Sequence, residues 1–332
     1  MENFGELNLV GHAPAFLGAL ELVRRSAGCD ATVLVQGETG TGKELVARAI
    51  HYLGTRRTFP FIPVNCGALP DSLVENELFG HVRGAFTDAR DARRGLVAEA
   101  EGGTLFLDEI EVLSQKAQVA LLRFLQDFEY RPLGGADVRN ANVRVIAASN
   151  AELGALASTG RFRQDLLFRL NVLSIELPPL RERSRDALLL AEMFLKRFER
   201  QYGRPPKRLH PEAVSRLLAY SWPGNVRELE NLLHREFLMG DGTSIRLHCL
   251  APAGARAQAG DAAAPRLTES SFQDAKASAI ARFERAYIVE LLARTRGNIS
   301  QAARISGKER SRLGKMVKKY GLERASFAGD AT

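Results

Sequence analysis

Cysteine is scarce: Cys29, Cys66 and Cys249 are three thiols at wide spacings, with no CxxC pair. An odd number so distributed excludes a disulfide framework and a zinc finger, and the expectation is reduced thiols buried in the core. Long apolar runs are missing too. The longest stretch free of Asp, Glu, Lys and Arg is residues 7–20, broken by Gly, His, Asn and Pro, and it falls short of the ~20 apolar residues that a membrane helix needs. The opening Met1-Glu2-Asn3-Phe4-Gly5-Glu6 has neither a basic n-region nor an apolar h-region, so a cytoplasmic protein with no membrane partner is expected. No repeat of fixed period occurs. What is present is ordinary: 45% hydrophobic and 26% charged residues exclude wholesale disorder, and 332 residues suffice for two or three domains with a substantial core.

The charge is unevenly placed. The net charge is +7, yet residues 276–324 hold 13 Lys/Arg against 4 Glu, so this segment carries +9 and the rest about −2. A compact basic module of that kind fits a phosphate backbone. Ahead of it, residues 249–268 are rich in Ala, Gly and Pro without apolar periodicity and read as a linker. Upstream, residues 31–36, 61–65, 104–107 and 143–148 are strand-like and nearly all apolar. Such runs suit strands buried on both faces, which implies an α/β fold with a parallel sheet between helices. After Pro178-Pro179 the pattern turns helical, with residues 185–202, 211–220 and 225–239 carrying apolar positions three and four apart. The expected domains are therefore an α/β unit 1–177, a helical lid 178–248, the linker 249–268 and an all-α unit 269–332.

Two segments carry chemistry. After the apolar run 33–36 come Gly37, Glu38, Thr39, Gly40, Thr41, Gly42, Lys43 and Glu44, a strand, a glycine-rich turn and a helix start. Glycines let backbone amides approach phosphates, a helix N-terminus favours anionic charge, and Lys43 can reach the outer phosphates of ATP. Glu44 occupies the place of the Ser or Thr hydroxyl of a generic phosphate loop. Farther on, Gly102-Gly-Thr-Leu-Phe-Leu-Asp108-Glu109 is an apolar strand ending in two carboxylates. Asp108 is the candidate Mg²⁺ ligand and Glu109 the candidate for orienting the attacking water, since phosphoryl transfer needs positioning and charge neutralisation.

These segments, together with Glu77-Leu-Phe-Gly-His81, Gly84-Ala-Phe-Thr-Asp-Ala89, Leu180-Arg-Glu-Arg183 and Trp222-Pro-Gly-Asn-Val-Arg-Glu-Leu-Glu-Asn231, resemble the bacterial enhancer-binding proteins. Those are AAA+ ATPases that activate transcription by sigma-54 RNA polymerase. The resemblance covers residues 9–250 and resumes at the C-terminus. It implies a P-loop AAA+ sheet, a helical lid and a Fis-like helix-turn-helix, with ATP and Mg²⁺ as cofactors. The family also has Glu at position 44, and it implies that Asn65 restrains the catalytic glutamate. Ser149 and Asn150 would form sensor I and Arg227 sensor II. Arg163 and Arg169 are candidates for a finger reaching the next subunit's ATP in a dimer-to-hexamer ring. Phe86 and Thr87 would touch sigma-54; Asp88 stands where the family's loop has Gly, which puts that contact in question.

At the C-terminus, residues 280–294, 300–305 and 309–320 read as three helices. In the last of them Arg310, Ser311, Arg312 and Lys315 are placed for base edges of an upstream, enhancer-like DNA site, and Lys315, Lys318 and Lys319 for phosphates. Lys308 and Gly314 depart from the usual pattern. Fewer than ten residues precede the resemblance, so the chain is expected to lack an N-terminal regulatory domain. Control would then come from a trans-acting regulator protein, from expression level or from a domain outside the chain. The implied function is a sigma-54-dependent activator that remodels the closed polymerase complex. The alternative is a DNA-binding regulator that keeps the AAA+ scaffold without touching sigma-54.

Overall fold

The computed structural model describes residues 4, 7–71, 73–86, 89–183, 185–240, 242–247, 284, 287–289, 291–292, 295, 298–307 and 309–320. They belong to two compact units, residues 1–256 and 257–332. In the first, five parallel strands form the central sheet: β1 (Val33–Gln36), β2 (Phe61–Asn65), β3 (Thr104–Asp108), β4 (Arg144–Ser149) and β5 (Leu173–Glu176) in the order β2-β3-β4-β1-β5. Side chains alternate across the sheet with period two. Leu34, Leu105, Leu107, Val145 and Ala147 face one helical layer, which contributes Leu121, Phe124 and Phe162. Val33, Val35, Phe106, Ile146 and Ala148 face the other, built by Phe16, Val23, Val46 and Ile50. Burial on both faces is why these strands are almost free of polar residues.

The helices follow in chain order: α1 (Pro14–Ala27), α2 (Lys43–Tyr52), α3 (Val74–Phe79), α4 (Gln115–Asp127), α5 (Leu153–Ser158) and α6 (Gln164–Leu170). A lid of α7 (Asp186–Tyr202), α8 (Pro211–Ala219) and α9 (Asn225–Met239) has its own core of Phe194, Phe198, Leu217, Trp222, Leu229, Leu233 and Phe237. The fifth strand is the one that the apolar pattern missed. Its burial alternates between half-buried, exposed and buried positions at the sheet edge, and Leu173-Ser-Ile-Glu176 is correspondingly half polar.

One expectation is corrected. Cys66 is buried, but Cys29 is exposed, because it follows Gly28, the C-cap of α1, in the surface turn leading to β1. Cys249 lies outside the described residues. No described helix is long and apolar enough to cross a membrane.

In the second unit, α10 (Ile299–Ser306) and α11 (Arg310–Lys319) share a small core of Ile288, Leu292, Ala302, Leu313 and Val317. The Asn298 side chain caps α10 by accepting from Ser300 N and Gln301 N at 3.1 and 3.2 Å. Gly307, at φ +63°, ends it in the left-handed conformation that glycine takes without penalty. Most of the helix expected over 280–294, and Lys308, lie outside the described residues. Gly314 does not break α11, and a Cβ placed there meets no heavy atom within 4 Å. Gly314→Ala is therefore expected to stabilise α11 by up to ~1 kcal/mol and to slow amide exchange at residues 314–319 by up to about fivefold; unchanged or faster exchange would contradict an exposed helical glycine.

Candidate functional site

Parallel register sets the carboxyl ends of the strands on one edge. Gln36 pairs with Ser149, Asn65 with Asp108, and Leu107 with Ala147. The glycine turn, the acidic pair and the Ser149-Asn150 turn consequently open on the same side of the sheet, the place where open α/β folds bind ligands.

The turn takes its shape from three glycines with φ of +154° (Gly37), +80° (Gly40) and +103° (Gly42). At Gly40 a Cβ would lie 2.4 Å from Gly224 O, so both the backbone angle and the space demand glycine. Thr41 closes the turn by donating its hydroxyl to Glu38 O at 2.8 Å. Lys43 opens α2 and is buried, at 7% exposure. Its ammonium donates to Gly37 O at 2.7 Å, to Glu38 O at 3.1 Å and to Asn150 Oδ1. Burial pushes the Lys43 pKa below its ordinary value, and the nearby Asp108 carboxylate opposes that shift. Glu44 turns away onto Arg48 on the exposed face of α2, at 2.7 Å.

Opposite, burial raises the Asp108 carboxyl above the usual range, against the pull of the Glu109 N–H, which donates to it at 3.0 Å. Glu109 itself sits at φ +55°, ψ +44°, a left-handed conformation costing a non-glycine residue about 1–3 kcal/mol. Asn65 Oδ1 accepts from Gly67 N at 2.8 Å and Ala68 N at 3.2 Å, and no hydrogen bond joins it to Glu109 among the described residues. The two nevertheless flank one point, because a Cβ on Gly67 would stand 2.8 Å from Glu109 Oε2 and 3.1 Å from Asn65 Oδ1. Beneath them the Cys66 thiol is pushed up to about 12, first by burial and then by Asp108, Glu111 and Glu109.

Of the Ser149-Asn150 pair, only Asn150 reaches the site. The Ser149 hydroxyl donates to Ala151 O at 2.8 Å and accepts from Ala151 N at 3.1 Å, which locks the turn. Asn150 N donates to Glu111 Oε1 at 3.1 Å, while Glu111 Oε2 is buried without a partner. Arg227, exposed in α9, borders the glycine turn: its backbone N donates to Gly40 O at 3.4 Å. Sequence reasoning passed over three groups here: Glu111, Arg181 and Asn225. Arg181 grips Glu38 with two hydrogen bonds of 2.9 and 2.6 Å, which together with the Asn225 amide hold the Glu38 carboxyl below the usual range.

The remaining candidates belong to other elements. Arg163 is engaged with Asp165 at 2.7 Å on the surface of α6. Arg169 is exposed near the end of the same helix, beside Phe168, which is 68% exposed. Phe86 is 43% exposed and meets the His81 ring edge-on at 5.0 Å, in a loop whose base is the antiparallel pair Gly80–His81 and Arg93–Arg94. Thr87 and Asp88 lie outside the described residues. In the second unit Arg310, Ser311, Arg312, Lys315, Lys318 and Lys319 lie on α11, whereas Leu313 and Val317 face its core. Lys319 also lies 3.8 Å from Glu284.

Comparison with known proteins matches three segments of the chain. Residues 9–176 match the Sigma-54 interaction domain, residues 181–266 the AAA+ ATPase lid domain, and residues 279–320 the Fis family of bacterial regulatory proteins. The alginate biosynthesis transcriptional regulatory protein AlgB of Pseudomonas aeruginosa is 44% identical over 315 residues, covering 95% of this chain and 68% of AlgB. The regulatory protein AtoC of Escherichia coli is 41% identical over 320 residues, covering 96% and 68%. The crystal structure of NtrX from Brucella abortus in complex with ATP superposes with a TM-score of 0.71 at 33% identity, over 95% of this chain and 69% of that one. The chain thus spans about two thirds of the length of these relatives.

The glycine cradle yields a direct test. Gly40→Ala is expected to weaken binding of a fluorescent ATP analogue at least about tenfold, equivalent to ~1.4 kcal/mol, with circular dichroism unchanged. Parental affinity in that variant would show that the turn does not wrap the ligand.

Proposed function

The chain belongs to the bacterial family of sigma-54-interacting AAA+ regulators, and from that premise we propose that it is an ATP-driven transcriptional activator. It binds upstream DNA through its C-terminal helices, assembles into a ring in the cytoplasm, and uses ATP hydrolysis to remodel the closed complex of sigma-54 RNA polymerase. The observation that carries this reading is Phe86, a large aromatic left 43% exposed in a loop anchored to the ATPase sheet's own layer. Aromatic side chains are among those that most often anchor a protein–protein contact.

The residues fit the cofactors. The turn from Gly37 to Gly42 and the N-terminus of α2 suit a polyphosphate, and Lys43 would exchange its carbonyl partners for phosphate oxygens. Asp108 would hold Mg²⁺, an ion that proteins usually bind through one or two carboxylates and the phosphates themselves. The ion supplies charge neutralisation when bound. Glu109 would orient water, Asn150, which accepts from the Lys43 ammonium, would stand by the outer phosphates, and Arg227, whose backbone N donates to Gly40 O, would reach them from the lid. Of the two arginine candidates, Arg169 is the better finger, because Arg163 is already paired with Asp165. A finger in trans is worth ~10³ to 10⁵ in rate, so hydrolysis depends on assembly. Control by a trans-acting regulator protein is part of the same proposal.

Open-complex formation on a sigma-54 promoter, with purified protein, polymerase and ATP, tests the reading. Phe86→Ala should abolish it while sparing ATPase activity and thermal stability, whereas truncating a buried Phe costs ~3–5 kcal/mol. If the parent protein forms no open complex and never binds sigma-54, but Asp88→Gly binds, the chain is instead a DNA-binding regulator that does not contact sigma-54. Removing residues beyond 268 should eliminate site-specific DNA binding and leave ATPase activity. Binding by the full chain should weaken with salt at a log–log slope of about −0.9 per phosphate contacted; equal footprinting by the truncated protein would refute the division.

A further inference from the structure

The lid and the glycine turn meet at a side chain outside the motif's recognised roles. Asn225 opens α9, is fully buried, and has φ +51°, a left-handed conformation that asparagine tolerates better than most residues. Its side-chain amide is used on both ends. Nδ2 donates to Thr39 O at 3.0 Å and to Glu38 Oε2 at 3.1 Å, and Oδ1 accepts from Leu180 N at 2.8 Å. One side chain therefore joins the glycine turn, the segment entering the lid, and the lid helix. Next to it, Gly40 O accepts from Val226 N at 3.0 Å and from Arg227 N at 3.4 Å.

These bonds hold successive carbonyls of the turn from the lid side. A peptide is planar and trans, so fixing Thr39 O fixes the direction of the Gly40 N–H, and fixing Gly40 O does the same for Thr41 N–H. Amide direction is what a phosphate-binding turn depends on. Glu38 adds an electrostatic reason for the arrangement. A carboxylate in a turn that receives a polyanion repels it, and Arg181 and Asn225 together hold that carboxylate on the lid side.

We propose that Asn225 is a positioning residue for ATP: through Thr39 O and Glu38 it sets the amides of the glycine turn, and so makes nucleotide affinity depend on the attitude of the lid. This rests on the reading of residues 37–44 as the phosphate loop of an ATPase. Binding phosphate and moving the lid are then two ends of one hydrogen-bonded linkage, and either end shifts the other by the same factor.

The test uses full-length protein. Asn225→Asp keeps size, backbone preference and the acceptor for Leu180 N, but removes the donor to Thr39 O and sets a second carboxylate against Glu38. It should raise KM for ATP at least about tenfold, the scale of a lost hydrogen bond to a charged group, with kcat at saturating ATP within about threefold; the buried carboxylate facing Glu38 also lowers the melting temperature without nucleotide, and Glu38→Gln restores part of it. Adding Glu38→Gln to that variant should recover much of the affinity, because the introduced amide can donate to the introduced carboxylate. Asn225→Gly, which keeps the backbone angle, should raise KM without being rescued by Glu38→Gln. A parental KM in Asn225→Asp overturns the proposal. So does a KM rise that follows a matching fall in melting temperature and ignores Glu38→Gln, which is the mark of a merely structural residue. If the parent protein binds no ATP, the phosphate-loop reading fails and this inference with it; if the parent binds and Asn225→Asp binds equally, only the inference fails.

Discussion

A buried ammonium must be surrounded by oxygen, and Lys43 is where this molecule meets that requirement. At 7% exposure its charge is held by Gly37 O, Glu38 O and Asn150 Oδ1, with the Asp108 carboxylate near enough to oppose the effect of burial. Leaving a charge in such a place unpartnered costs several kcal/mol. Three structures must therefore stay in register: the glycine turn that aims its carbonyls inward, the end of β4 that carries Asn150, and the end of β3 that carries Asp108. The parallel pairing of β1, β3 and β4 supplies that register.

The lid is attached to the same turn. Asn225, Val226 and Arg227 hold Thr39 and Gly40 from α9, and Arg181 holds Glu38. The opposite side of the lid entrance is equally firm: the buried Arg183–Asp186 pair, at 3.0 Å, binds Val10 O and the His12 N–H. The segments that enter the lid are thus the ones that touch the glycine turn. Arg169 stands outside this network, exposed on α6, and that is the condition for serving a site on another copy.

Much of this was legible in the residues. The glycine turn, the strand ending in Asp108-Glu109 and the three lid helices are local patterns, and the structure has them within one or two residues of their expected ends. What stayed hidden is tertiary. Asn225 meets Glu38 across 187 positions and Arg181 meets it across 143, distances at which no periodicity speaks. The edge strand Leu173–Glu176 was missed because one of its faces is wet. Ser149 resembles a nucleotide contact in sequence, yet its hydroxyl is consumed by its own turn. Asn65 likewise spends its carbonyl on Gly67 and Ala68. Side-chain identity was readable in both; the partner that wins the hydrogen bond was not.

On the proposed function each nucleotide site is built by one copy and completed by another, and mixing two inactive variants tests this. Lys43→Ala should lose ATP binding but keep its finger; Arg169→Ala should bind ATP but lack the finger. Each alone should be inactive. An equimolar mixture should hydrolyse ATP well above the sum of the two, because some sites then pair an intact Lys43 with an intact Arg169. A mixture that never exceeds that sum at concentrations where rings form, or an Arg169→Ala protein as active as the parent, would contradict the account.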